Sequence, residues 1–146
     1  IGHKLWGDIE TFAVSRNPYS WCASLWFHTQ KNKGLGLQVD TFDNFLCCFE
    51  RNLQSDFTKR FIFPTYYKQT DYILDTYDKL LVKHLFKLED RTLIDEFLQS
   101  KGVLGYGETH LRRFGNETQS ADYKLTKSQM KRVEIIFKKD FEVLGY

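Results

Sequence analysis

The spacing of apolar residues changes several times along this chain, and each change predicts the edge of an element. Thr11-Phe12-Ala13-Val14 is a short apolar run with β-branched members that stops at a polar turn, which predicts a buried strand. Asn17 follows where a side-chain oxygen can cap a helix. Pro18 stands at the first helical position, where a missing N–H removes no intrahelical bond. Residues 18–30 are predicted helical, with Trp21, Cys22, Leu25 and Trp26 on the apolar side. Gly34 and Gly36 interrupt the pattern and predict a loop from Lys31 to Val39. Phe42, Phe45, Leu46, Phe49 and Leu53 then recur at helical spacing behind Asp40-Thr41, which can cap a second helix.

Further along, Pro64 interrupts an aromatic stretch, and Gln69 to Asp75 fits neither period. His84-Leu85-Phe86-Lys87-Leu88-Glu89 alternates as a strand does, and Asp90 is placed to cap a helix carrying Leu93, Ile94, Phe97 and Leu98 that closes near Gly102. Gly102 to Asp122 is polar and is the longest irregular stretch. Thr126-Lys127-Ser128-Gln129 matches a capping box and opens a last helix with Met130, Val133 and Phe137 turned inward. Two strands, each followed by a helix, predict an α/β domain: a parallel sheet flanked by helices, with some members missing. No repeat, low-complexity tract or internal linker divides residues 1–146, which read as a single domain.

Composition narrows the function classes. With 146 residues and 16% aromatic side chains the chain can bury a real core. A net charge of +2 argues against a basic nucleic-acid arm but leaves room for a local anion pocket. No apolar run of membrane-spanning length and no signal-peptide layout is present, so no membrane partner is expected. Cys22, Cys47 and Cys48 make a poor disulfide framework and lack metal-ligand spacing, which suits reduced thiols in a cytoplasmic protein with no metal. Asn116-Glu117-Thr118 is a formal glycosylation sequon of a kind that often occurs by chance.

Candidate chemistry concentrates at the strand–turn–helix of residues 11–30. A helix N-terminus offers free N–H groups and a positive dipole end, and Arg16 stands just before this one with a planar fork suited to phosphate. Ser24 lies two helical turns beyond Asn17, on the same side of the predicted helix, so spacing brings Arg16, the helix start and Ser24 toward one anion. By themselves these features mark a helix terminus suited to some anion.

The segment Phe12-Ala13-Val14-Ser15-Arg16-Asn17-Pro18-Tyr19, followed by Ser24, resembles the phosphate-anchoring segment of the sulfotransferases: a short strand, then Arg-Asn-Pro-aromatic, then a Ser eight residues after the Arg. Gln69-Thr70-Asp71-Tyr72-Ile73 beyond Pro64 is similar to the Pro-Gln-x-Asp-Tyr stretch of the carbohydrate and bacterial branch. His84 to Asp90 resembles that branch's strand ending in Glu, and Lys124 to Tyr146, with Asp140-Phe141 and Gly145-Tyr146, its terminal helix and closing motif. The resemblance implies a partial P-loop-like sulfotransferase fold lacking the N-terminal strand–phosphate loop–helix, and hence an N-terminally incomplete protein. It implies 3′-phosphoadenosine 5′-phosphosulfate as donor, 3′,5′-bisphosphoadenosine as product, and a hydroxyl acceptor, here a carbohydrate. Arg16 and Ser24 would hold the donor's 3′-phosphate, and Arg113, in the Arg112-Arg113 pair, would close over the nucleotide. His3, in a Gly-His before the strand, resembles the family's base, and imidazole titrates near neutral pH.

There are departures as well. The family's frequent second Arg falls on Trp21, and Lys33-Gly34-Leu35-Gly36 matches the 5′-phosphosulfate loop neither in position nor in surroundings. Glu89, at a strand's carboxyl end, rivals His3 as base, while a strand-end carboxylate capping or pairing with a neighbour is the plainer reading for it. His28, His84 and His110 lack supporting context. The alternative function is a non-catalytic, degenerate domain that keeps the fold for nucleotide or partner binding. A nucleotide kinase is disfavoured because no GxxxxGK[ST] loop occurs.

Overall fold

The computed structural model describes residues 8–31, 40–54, 68–103 and 123–146. In chain order these form β1 (Phe12–Ser15), α1 (Pro18–Lys31), α2 (Phe42–Gln54), α3 (Thr70–Ile73), β2 (His84–Lys87), α4 (Arg91–Ser100), α5 (Lys127–Ile136) and α6 (Lys138–Leu144). The described residues are thus mixed α/β, with a two-stranded parallel sheet and six helices. No helix among them is long and apolar enough to cross a membrane. The chain divides into two compact units, Ile1–Arg16 with Gln69–Phe114, and Asn17–Lys68 with Gly115–Tyr146.

The first unit is built on the β1–β2 ladder, with Phe12 opposite His84 and Ser15 opposite Lys87. α4 packs on β2 and buries Ile94 and Leu98. Phe97 lies 5.0 Å from Phe86 and 5.5 Å from Phe12 between ring centroids, in the tilted and edge-on arrangements that aromatic quadrupoles favour. Sheet formation is as the pattern predicts, but the burial of β1 is not. Phe12 and Val14 are 43% and 42% exposed, and Ser15 is the buried member at 3%. Period-2 alternation sets Phe12 and Val14 on one face and Ala13 and Ser15 on the other, so an apolar run need not be buried on both faces. Asp90 does occupy the residue before α4, but its side chain makes no capping bond; its backbone, at φ −97° and ψ 55°, is not in the extended conformation usual for a cap. Leu93 is also exposed, while Gly102, with φ +71°, supplies the left-handed residue after α4.

The second unit has its own core. Phe42, Phe45, Leu46 and Phe49 of α2 are buried against Cys22 of α1 and against Val133, Ile136 and Phe137. Phe49 meets Phe137 at 5.0 Å, and Trp26, Phe42 and Tyr123 form a second aromatic contact group. Each buried Phe of this kind contributes about 1.5–3 kcal/mol. Thr41 caps α2, its Oγ1 accepting from Asn44 N–H at 3.2 Å. The Leu53 side chain lies outside the described residues.

The capping box at Thr126 is complete: Thr126 Oγ1 accepts from Gln129 N–H, and Gln129 Oε1 accepts from Thr126 N–H. The expected inward face of this helix needs one correction. Met130 is 36% exposed, and Gln129 holds the buried position instead. Gln129, Val133, Phe137, Asp140 and Leu144 make the continuous inner stripe, and Met130 falls one residue, or about 100°, off it. Phe137 marks a break, after which α6 runs to Gly145 at φ +69°.

Candidate functional site

At the carboxyl end of β1 the backbone is held from two directions. Ser15 Oγ donates to the Phe86 carbonyl at 3.1 Å, and Leu88 N–H donates to the Ser15 carbonyl at 2.7 Å. Because successive residues of a strand direct their backbone groups to opposite edges, Arg16 N–H and C=O face away from β2. Gln69 meets both. Arg16 N–H donates to Gln69 Oε1 at 2.7 Å, and Gln69 Nε2 donates to the Arg16 carbonyl at 2.7 Å. Gln69 is only 8% exposed, and a buried backbone donor or acceptor stripped of its partner costs about 1–3 kcal/mol.

The Arg16 side chain is half-buried, and its guanidinium has no hydrogen-bond or ion-pair partner among the described residues. Arg132, in the second unit, shows the opposite condition. It binds both carboxylate oxygens of Glu50 at 3.1 Å, Asp43 Oδ1 at 3.2 Å and Cys47 Sγ at 3.3 Å; Glu50 first and then Cys47 raise its pKa against the opposing effect of burial. A guanidinium so engaged offers nothing further to an anion. Arg16 remains available to one.

In the second unit the start of α1 is formed as its sequence predicts. Asn17 Oδ1 accepts from Tyr19 N–H at 3.0 Å, Trp21 N–H donates to the Asn17 carbonyl at 2.8 Å, and Pro18 opens the helix. Ser24 is half-buried on α1, and its hydroxyl has no hydrogen-bond partner among the described residues. Thr29, one and a half turns later, bonds back to the Trp26 carbonyl instead. Tyr19 donates its phenol to Glu134 Oε1 and packs edge-on against Phe141 at 5.1 Å. Burial and then the Glu134 carboxylate push this phenol's pKa up to about 12. Trp21, where the resemblance would place a second Arg, packs against the core, and its buried indole N–H has no hydrogen-bond partner among the described residues.

His3 and Arg113 lie outside the described residues, as do Arg112, His110, Lys33-Gly34-Leu35-Gly36, Pro64 and the sequon at Asn116. Glu89 is exposed in the turn after β2. Two features of the first unit were not legible from sequence. One is the Gln69–Arg16 pair, joined across 53 positions by the fold. The other is at the opposite end of the sheet, where Glu10 Oε2 lies 2.9 Å from His84 Nε2, with Lys101 and Lys83 beside the same carboxylate. The His84 hydrogen bond and both lysines hold the Glu10 carboxyl below its ordinary range. Among the described residues no three His, Cys, Asp or Glu side chains gather as metal ligands. No family model, curated protein or solved structure matches this chain.

Proposed function

We propose that this chain carries the donor-anchoring part of a sulfotransferase that uses 3′-phosphoadenosine 5′-phosphosulfate, with a carbohydrate hydroxyl as acceptor. The observation that carries the reading is the half-buried Arg16 guanidinium, free of any carboxylate among the described residues, on a backbone fixed by Gln69. A cation in this state is suited to a phosphate, through two N–H groups at once. The resemblance of the 12–24 segment to the sulfotransferase anchor gives the anion as a 3′-phosphate and, by the same resemblance, assigns Ser24 as its second contact.

In the reaction this reading implies, the acceptor oxygen attacks sulfur and forms a new S–O bond. The S–O bond to the donor's 5′-phosphate breaks, and 3′,5′-bisphosphoadenosine leaves with that bond's electron pair. The acceptor proton passes to a base within hydrogen-bond reach, a role assigned by resemblance to His3. Arg16 and Ser24 contribute binding and orientation of the nucleotide rather than bond making. Arg113 extends the nucleotide contacts in the same reading.

Calorimetric titration with 3′,5′-bisphosphoadenosine tests this. Binding that is lost in Arg16→Ala and weakened in Ser24→Ala supports the reading. Equal affinity in the parent chain and in Arg16→Ala refutes it. If the chain binds the nucleotide but transfers no sulfuryl group, the same residues serve the non-catalytic alternative.

A further inference from the structure

We propose that Gln69 is the positioning residue for Arg16: it touches no ligand, but it sets the direction from which the guanidinium reaches the anion. The inference rests on the donor-anchoring reading above and adds a residue to it.

The geometry behind this lies in the strand end. Ser15 is the last residue of β1, and its carbonyl is held by the N–H of Leu88, the residue after β2, at 2.7 Å. Arg16 comes next in the strand's alternation, with its N–H and C=O on the edge that β2 does not reach. The Gln69 carboxamide presents one acceptor and one donor there, both at 2.7 Å, and so takes the part of a neighbouring strand for a single residue. Two short bonds to one peptide-flanked residue fix its φ and ψ, and the Cα–Cβ direction follows from these. Gln69 itself is held: it is buried, it sits at the head of α3, and its carbonyl accepts from Tyr72 N–H at 3.2 Å. A side chain serving only to fill space needs neither bond. A carboxamide that satisfies both backbone groups next to a guanidinium with no partner among the described residues has a consequence for whatever that guanidinium binds.

Glutamine is also the side chain whose chemistry this arrangement requires. A carboxylate in its place can accept from Arg16 N–H but cannot donate to the Arg16 carbonyl. A protonated carboxyl can do both, because its C=O accepts and its O–H donates. Gln69→Glu therefore separates the clamp from mere volume, since its two protonation states differ by the one donor.

The test measures affinities for two nucleotides, 3′,5′-bisphosphoadenosine and adenosine 5′-monophosphate, which lacks the 3′-phosphate. In Gln69→Leu we expect the bisphosphate affinity to fall about tenfold, as loss of an oriented charged hydrogen bond implies, with the monophosphate affinity unchanged. Gln69→Glu, compared with the parent chain at each pH, should bind the bisphosphate as poorly as Gln69→Leu at alkaline pH and recover toward the parent as its carboxyl protonates. Circular dichroism checks that both variants remain folded, and hydrogen exchange of the parent chain reads the clamp without any substitution, through protection of the Arg16 amide. If Gln69→Leu binds the bisphosphate as the parent does while Arg16→Ala does not, the positioning role is overturned and the donor-anchoring reading stands. If Arg16→Ala also binds normally, the donor-anchoring reading itself has failed. An Arg16 amide that exchanges as fast as an unstructured one overturns the clamp whatever the nucleotides show.

Discussion

Arg16 and Arg132 show that a residue type does not decide its own role. Both are half-buried arginines, yet Arg132 is spent on Glu50 and Asp43 while Arg16 has no such partner among the described residues. Removing the Arg16 side chain is predicted to weaken 3′,5′-bisphosphoadenosine binding by about 10- to 100-fold, the range of a charge-assisted contact, and Ser24→Ala by a few-fold, both read by calorimetry. The thiols differ in a comparable way. Burial pushes the Cys22 thiol far above its ordinary value, and thiolate is the reacting species, so iodoacetamide should modify half-buried Cys47 and Cys48 in the native protein while Cys22 reacts only after unfolding. Mass spectrometry of the alkylated peptides checks this. Glu10 carries a pH dependence. Its carboxyl is lowered, by the His84 hydrogen bond first and by Lys101 and Lys83, so its contribution to stability is complete above the ordinary value of 4.5 and is lost as pH falls through the lowered one. Glu10→Gln should therefore reduce the acid sensitivity of stability, measured by urea unfolding at about pH 7 and about pH 3.

At the scale of elements, much was legible in the sequence, because local chemistry and packing agree. Thr126 with Gln129, Asn17 with Pro18, and Thr41 before Phe42 are helix starts written in adjacent residues, and all three form. Phe42, Phe45, Leu46 and Phe49 share one face of a helix and all are buried. Phe49→Ala should cost about 3–5 kcal/mol and Thr126→Ala about 1 kcal/mol, both measurable by denaturant unfolding. What failed were statements about which side of an element faces inward. Met130 is apolar but yields its place to Gln129, whose amide is used by the capping box and by Asp43 Oδ2 at 2.8 Å. Phe12 and Val14 have strand character but keep an exposed face, which depends on the number of elements packed around a strand and not on its own residues.

For the whole molecule, the α/β class followed from two strand-then-helix segments, and the parallel β1–β2 pair agrees with it. The candidate site was half legible. Arg16 could be singled out by its place before a helix start, whereas Gln69 acquires its part only when the fold sets it against a backbone 53 positions earlier. The resemblance of residues 69–73 to a Pro-Gln-x-Asp-Tyr stretch marked Gln69 without giving it a role, and no periodicity connects it to Arg16. The central claim is that Arg16 belongs to a 3′-phosphate, and the most direct measurement is the calorimetric affinity of the parent chain and Arg16→Ala for 3′,5′-bisphosphoadenosine and adenosine 5′-monophosphate. The account predicts that the parent prefers the bisphosphate and that Arg16→Ala loses this preference while retaining its affinity for the monophosphate. Equal affinities of the parent for the two nucleotides, or a preference that survives in Arg16→Ala, would contradict it.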